Sequence, residues 1–145
     1  MNITRKTDYA VRVLILLAAA QDNPVPAREI AEKSDVPYRF LEQVLRDLKN
    51  LGLIKSIRGP YGGYKLIKKA SSINLLYVVE AINGPIEIVP CLQDPADCRL
   101  LGLCAAHNVW CKVDKGMKDT LRSVTFDRLV SKEALGNLDK LIPGR

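Results

Sequence analysis

The chain has 145 residues and 48% of them are apolar, which suits one globular domain or a small head whose core is completed in an oligomer. It contains no run of 18 apolar residues and begins without the apolar core of a signal peptide, so we expect a cytoplasmic protein with no membrane partner. The formal net charge of +6 lies entirely in residues 1–70, which contain 13 Lys and Arg and 7 Asp and Glu. A basic N-terminal half is typical of nucleic-acid binding, although a solvated basic surface would give the same count.

Two helices are predicted at the N-terminal end. Thr7 can cap the first, and the second is expected from Ala27 to Lys33, where it buries Ile30 and Ala31. The apolar residues of the first helix recur at the spacing of one buried face. They are Ala10, Val13, Leu14, Leu17 and Ala18.

A third helix and a hairpin follow. The helix is expected from Pro37, whose missing N–H costs nothing at the first helical position, to about Asn50, with Gly52 ending it. Its apolar face consists of Leu41, Val44, Leu45 and Leu48. Two strand-like runs, Ile54 to Arg58 and Tyr64 to Lys68, flank a turn rich in Gly and Pro. This order predicts a mainly α fold with a small β-hairpin, the winged helix-turn-helix.

A longer helix is predicted in the C-terminal half. Asn74 caps a short helix that ends at Ile82, and the segment from Ile86 to Leu103 has no clear periodicity. The long helix is expected at about Ala105 to Ser123. Its apolar residues step by three and four along a narrow seam of the coiled-coil kind, formed by Trp110, Val113, Met117, Leu121 and Val124. We favour pairing of this helix in a homodimer, and the alternative is that the seam packs within one chain.

We therefore divide the chain into three parts. Residues 1–70 form the winged helix-turn-helix head, residues 71–104 a linking helix and a cysteine-containing sensor loop, and residues 105–145 a dimerisation helix and C-terminal tail.

The polar face of the third helix is expected to enter the major groove of DNA. Arg39, Glu42 and Gln43 lie near its N-terminal end and can pair with guanine, cytosine and adenine. Arg46 is placed for phosphates, and Arg58 at the hairpin tip for the minor groove, where the potential is negative. The full set of candidate DNA-binding residues is Tyr38, Arg39, Glu42, Gln43, Arg46, Arg58 and Gly59.

Four cysteines fall within residues 91–111, namely Cys91, Cys98, Cys104 and Cys111. Clustered thiols in a cytoplasmic chain bind metal or react more often than they form disulfides. Three thiols in a loop before a helix can hold an iron–sulfur cluster, and one His or carboxylate can replace a thiolate. The paired spacing of a zinc site is absent. Buried structural cysteines and a thiol redox switch remain alternatives.

Several motifs resemble those of the Rrf2 family of bacterial regulators. They are Phe40 to Gln43, Leu51 to Leu53, Arg58 to Tyr64, Ala70 to Ile73, Val79 to Ile82 and the cysteine segment, and the resemblance covers about residues 1–130. It implies a dimer with a winged-helix head and a long dimerisation helix, which binds palindromic double-stranded DNA and by default represses transcription. The family positions that match Glu42, Gln43 and Arg58 contact DNA. The chain departs at Pro37 to Arg39, where cluster-biogenesis members carry small hydroxyl residues.

The resemblance also implies an iron–sulfur cluster, 2Fe–2S or 4Fe–4S, held by Cys91, Cys98 and Cys104. Two residues are candidates for the fourth ligand of the cluster. His107 matches the ligand of the type with a 2Fe–2S cluster, whereas Asp8 matches a carboxylate that the nitric-oxide-sensing type donates across the dimer to a 4Fe–4S cluster. Cys111, one helical turn beyond His107, is a third and weaker candidate. The structural alternatives are a helix-dipole partner for Asp8, a hydrogen-bonded helix-start residue for His107 and a buried apolar contact for Cys111.

The predicted function is therefore a DNA-binding transcription regulator that senses iron, redox state or nitric oxide through the cluster. The alternative of the same fold is a cluster-free regulator switched by thiol oxidation or a small ligand. An enzyme or electron carrier is disfavoured, because the sequence has no ferredoxin run, no glycine-rich nucleotide loop and no catalytic triad. A protein-binding adaptor that uses the winged fold is a third class.

Overall fold

The computed structural model describes residues 3–130, so the predicted C-terminal tail lies largely outside the described residues. Six α-helices and one two-stranded antiparallel hairpin make up this part of the chain, which confirms the predicted fold class. Their bounds are α1 Arg5–Ala19, α2 Ala27–Ser34, α3 Tyr38–Asn50, β1 Ile54–Ile57, β2 Gly63–Leu66, α4 Leu75–Asn83, α5 Ala105–Ser123 and α6 Phe126–Leu129. None of the helices within residues 3–130 is both long enough and apolar enough to cross a membrane.

The start of α1 corrects one prediction. The N-cap is Thr4, whose side chain accepts a hydrogen bond from the backbone N–H of Thr7 at 3.3 Å. The prediction of Thr7 as the cap is wrong because Thr7 is in phase with the buried face, three residues before Ala10 and seven before Leu14. Its side chain is therefore buried inside the first turn, with its hydroxyl 2.9 Å from the hydroxyl of Thr4.

The turn between α2 and α3 positions the third helix. Asp35 takes a left-handed conformation with φ of 54°. Pro37 is the cap residue of α3 and not its first helical residue, because its ψ of 132° is extended. The helix therefore begins at Tyr38, one residue later than predicted. The carbonyl of Pro37 accepts from the N–H groups of Phe40 and Leu41 at 2.9 and 3.1 Å. The predicted apolar face of α3, Leu41, Val44, Leu45 and Leu48, is buried. The opposite face is thereby left to solvent.

Gly52 ends α3 as predicted. It has φ of 69°, its N–H donates to the carbonyl of Lys49 at 2.9 Å, and the N–H of Leu53 donates to Leu48 at 3.1 Å. These two bonds form a Schellman motif, which reverses the chain into β1. The two strands pair from Ile54 opposite Leu66 to Ile57 opposite Gly63, shorter than predicted.

The hairpin is tied to the loop before α2. The N–H of Val25 donates to the carbonyl of Tyr64 at 2.9 Å, and the N–H of Tyr64 donates back to Val25 at 2.8 Å. Gly63 makes this close approach possible, because a Cβ there would lie 2.3 Å from the carbonyl carbon and oxygen of Val25. This hairpin of β1 and β2, the wing of the winged helix-turn-helix, is consequently held at a fixed place beside the helices.

Gly63→Ala is expected to destabilise the protein by about 1–3 kcal/mol, because the new methyl group meets backbone atoms that cannot rotate away. Its φ of 153° adds to the strain. Urea unfolding measures the change, and Gly116→Ala is the matched control, since a Cβ at Gly116 in α5 would meet nothing within 4 Å. Gly116→Ala should unfold at the wild-type midpoint or slightly above it, because alanine favours a helix. A Gly63→Ala midpoint equal to that of the wild type would contradict the tight contact at the wing.

The core of the head also takes residues from beyond position 70. Ile73, Val78 and Phe126 are buried in one cluster with the apolar faces of α1 and α3. The N–H of Phe126 donates to the carbonyl of Ile73 at 3.1 Å, and that of Leu75 to Val124 at 2.9 Å. The end of α5 is thus anchored in the head, a contact that the sequence analysis did not predict. The division at residue 70 stays a prediction.

Helix α5 has the predicted bounds, but its apolar seam is divided. Met117 and Leu121 pack against a second small cluster formed by Leu76 and Val79 of α4 together with Ile86. No residue of α5 is fully buried. Towards its N-terminal end the exposed apolar side chains are Val109 at 56%, Trp110 at 39% and Val113 at 47%.

Candidate DNA interface and cysteine site

The polar face of α3 is exposed along its whole length. Arg39, Glu42, Gln43 and Arg46 are all exposed, and Tyr38 at the start of the helix is 54% exposed. Because the apolar face packs inward, these side chains point away from the core. Together they can offer both donors and acceptors to a double helix.

Contacts along α3 hold some of these side chains in place. The amide nitrogen of Gln43 donates to Asp47 at 2.9 Å, and the guanidinium of Arg46 lies 3.5 Å from the amide oxygen of Gln43. The guanidinium carbon of Arg39 lies 4.7 Å from the centre of the Phe40 ring. Asp47 in turn pairs with Lys6 of α1 at 3.0 Å. Within residues 3–130, Glu42 forms no ion pair, so its carboxylate is available to a ligand.

The wing continues this surface. Arg58 and Gly59 open the exposed turn of the hairpin, and a groove between α3 and the wing is lined by Glu42, Arg46 and Tyr64 among others. From residue 48 to residue 79 the sequence contains six Lys and Arg residues and no Asp or Glu, namely Lys49, Lys55, Arg58, Lys65, Lys68 and Lys69. The charged residues that line the groove are Glu42, Arg46 and Lys49, so its lining carries a net positive charge.

Tyr61 at the tip of the wing was missed by the sequence analysis. It is 92% exposed, the highest value among the large apolar and aromatic side chains of the described chain. An aromatic residue within a turn of Gly and Pro is the signal that could have identified it. A ring with a hydroxyl group at this tip can contact the sugar–phosphate backbone or a base edge.

The cysteine loop is built from short turns. Cys91 lies in the 3-10 turn Pro90–Leu92, Cys98 follows the turn Pro95–Asp97, and Cys104 is the cap residue of α5. The four cysteines are free thiols; Cys91, Cys98 and Cys104 are half-buried and Cys111 is exposed. Cys111 is therefore not a buried apolar contact within the single chain.

His107 lies between two of these thiols. Its Nδ1 is 4.0 Å from the Sγ of Cys91, and its Nε2 is 3.5 Å from the Sγ of Cys111. Its backbone N–H donates to the carbonyl of Cys104 at 3.2 Å, within the first turn of α5. The predicted face shared by His107 and Cys111 is present, and Cys91 joins it from the loop.

The other candidate ligand, Asp8, is engaged elsewhere. Its carboxylate pairs with Arg12 on the same helix at 2.8 Å. In the described residues no three His, Cys, Asp or Glu side chains converge closely enough to hold a metal ion. The donor set of half-buried free thiols and an imidazole nevertheless fits an iron–sulfur cluster in its chemistry.

Comparison with known proteins places this geometry in a family. The sequence profile of the Rrf2 family, described as iron-dependent transcriptional regulators, matches residues 3–132. The HTH-type transcriptional regulator IscR of Pectobacterium atrosepticum is 34% identical over 142 residues, which cover 97% of this chain and 86% of the relative.

Two solved structures share the fold. CymR, the global cysteine regulator of B. subtilis, superposes with a TM-score of 0.76 at 29% identity, covering 90% of this chain and 97% of CymR. T. potens IscR superposes with a TM-score of 0.69 at 27% identity, covering 89% of this chain and 86% of that structure.

Proposed function

The chain belongs to the Rrf2 family and is a DNA-binding transcription regulator of that type. We propose that it is a dimeric repressor that binds palindromic operators, and that its operator binding responds to an iron–sulfur cluster. The observation that carries the sensing part is that three free thiols, two in the loop before α5 and one at its cap, are half-buried. A cytoplasmic location, where thiols stay reduced, belongs to the same proposal.

In this proposal the head reads DNA with α3 and the wing. Arg39, Glu42 and Gln43 contact base edges, with Tyr38 beside them, and Arg46 contacts phosphates. Arg58 enters the minor groove, and Gly59 lets the backbone come close. The exposure of these residues around one groove supports the assignment.

The cluster ligands we propose are Cys91, Cys98 and Cys104 with His107. His107 is favoured as the fourth ligand because its Nδ1 already lies 4.0 Å from Cys91, whereas Asp8 is paired with Arg12. Asp8 donated across the dimer is the alternative, and Cys111 the weaker one. When bound, an iron–sulfur cluster supplies a centre that reacts with oxidants and nitric oxide.

Helix α5 is the proposed link between the thiols and the head. It begins at the Cys104 cap and ends where Val124 and Phe126 are anchored to the core of the head. A helix of 19 residues is about 28 Å long and stiff, so a shift of Cys104 is carried to the far end. Met117 and Leu121 tie α5 to α4 of the same chain. If α5 pairs with its copy in the proposed dimer, a shift of α5 against that copy therefore moves the two heads relative to each other.

The test is the colour and operator affinity of protein purified without oxygen. We expect the wild type to be brown, with a Mössbauer spectrum of a cluster that has three thiolate ligands and one other. Cys98→Ala should be colourless and should bind the operator with the affinity of cluster-free protein, whereas the control Cys111→Ser should keep the colour. A colourless wild type, or the same affinity with and without cluster at fixed salt, would contradict the proposal.

The cluster-free alternative has an observation of its own. Cys111 is exposed and lies 3.5 Å from the imidazole of His107, a place where an oxidant can reach a thiol. A colourless protein whose operator affinity changes with peroxide and recovers with a dithiol would favour this second function. A small ligand as the signal would leave the affinity unchanged by both reagents.

A further inference from the structure

Each ring nitrogen of His107 has a sulfur atom beside it. Nδ1 faces Cys91 at 4.0 Å and Nε2 faces Cys111 at 3.5 Å. A neutral imidazole carries one N–H, and its other nitrogen carries a lone pair. The sulfur that receives the N–H therefore decides which nitrogen is left to bind a metal.

The sulfur of Cys111 is the better hydrogen-bond acceptor of the two sulfur atoms. Its contact with His107 is the shorter one, and both residues lie on α5 one turn apart, so the helix backbone fixes their separation. Cys91 approaches from the loop on a longer contact. A ring N–H is a stronger donor than a thiol. A hydrogen bond from the N–H of Nε2 to the sulfur of Cys111 is therefore stronger than one from the thiol of Cys111 to Nε2.

We propose that Cys111 is a positioning residue for His107. Its sulfur accepts the hydrogen bond from Nε2–H, which leaves the lone pair of Nδ1 on the side of Cys91 and the sensor loop. Cys111 is then not a ligand itself. The metal-binding part of this inference rests on the proposed function, whereas the tautomer is a property of the protein without metal.

The test uses the fact that His107 is the only histidine of the chain. In the reduced, metal-free, full-length protein labelled with ¹⁵N, every imidazole nitrogen signal belongs to this residue. At a pH where the ring is neutral, we expect long-range ¹H–¹⁵N correlations with Nε2 protonated and Nδ1 unprotonated. A wild type with Nδ1 protonated would overturn the inference, and this result needs no variant.

Two variants separate a positioning role from a general structural one. Cys111→Ser keeps an acceptor, so the wild-type pattern should be retained, whereas in Cys111→Ala the two nitrogen signals should shift towards each other as the tautomers mix. Because Cys111 is exposed, both variants should keep the backbone amide spectrum of the wild type. An imidazole pattern in Cys111→Ala identical to that of the wild type would count against the inference.

Cluster-loaded protein provides an independent readout. In wild type and Cys111→Ser, electron–nuclear double resonance of the reduced cluster should show a strong coupling to one ¹⁵N of His107, and in Cys111→Ala this coupling should weaken. Failure of the wild type to assemble any cluster would overturn the proposed function, while the tautomer pattern still decides the role of Cys111. A cluster without nitrogen coupling would remove His107 as the ligand.

Discussion

Val113→Glu is expected to convert the proposed dimer into monomers and to lower operator affinity at least about 100-fold, a loss of about 2.8 kcal/mol. Val113 is 47% exposed in the single chain, next to the exposed Val109 and Trp110 on the same side of α5. Apolar side chains grouped on one helix face are covered in a two-fold dimer by the same face of the second copy. Two glutamates would then meet in a dry contact without a cation.

The loss of affinity follows from the proposed two-fold symmetry of the dimer and its operator. A monomer can contact one half-site only, so the contribution of the second head disappears. Val113 is not part of the buried clusters of the single chain, so the variant monomer should remain folded. Circular dichroism should therefore match that of the wild type.

Asn108→Glu is the matched control, since it adds the same charge about 160° around the helix from Trp110. It should stay dimeric and bind the operator normally. Sedimentation equilibrium and operator titration at one salt concentration measure both properties. A Val113→Glu protein that stays dimeric with full affinity would show that this face is not the dimer contact.

The fold was predictable where periodicity carried the information. The apolar face of α3 and the bounds of α5 are as predicted, because a repeat of three and four residues defines a helix and its buried side. The sequence did not reveal that Phe126 packs into the head, since α6 has four residues and no period. The cap was misplaced because Thr4 and Thr7 are equally good cap residues, and only packing distinguishes them.

The cysteine site shows the limit of spacing arguments. Sequence placed Cys111 and His107 on one face, because their separation is fixed by the helix. The contact of His107 with Cys91 could not be predicted, since it depends on the turns between residues 86 and 103. For the same reason the spacing of Cys98 and Cys104 did not indicate whether the thiols converge.

Arg58→Ala is expected to weaken operator binding by about 1–3 kcal/mol for each wing, and therefore by about 2–6 kcal/mol for a dimer with two wings. Arg58 is exposed in the turn of the hairpin and has no ion-pair partner within residues 3–130, so its guanidinium is free to enter a narrow minor groove. The double hydrogen bonds of Val25 with Tyr64 hold the wing in place, so little ordering is required on binding. Fluorescence anisotropy with an operator duplex at several salt concentrations measures the change.

The comparison of three variants separates the shape of the arginine from its charge. Arg58→Lys keeps the cation and should recover the salt dependence but only part of the affinity, because an ammonium lacks the planar fork of a guanidinium. Lys112→Ala removes one exposed cation of α5 that is outside the proposed DNA-binding residues, and it should bind like the wild type. A charge that lies beyond the screening length of about 10 Å from the DNA contributes little. If Arg58→Ala lost no more affinity than Lys112→Ala, the wing would not be a contact with DNA, and the basic groove beside α3 would have to bind the operator without it.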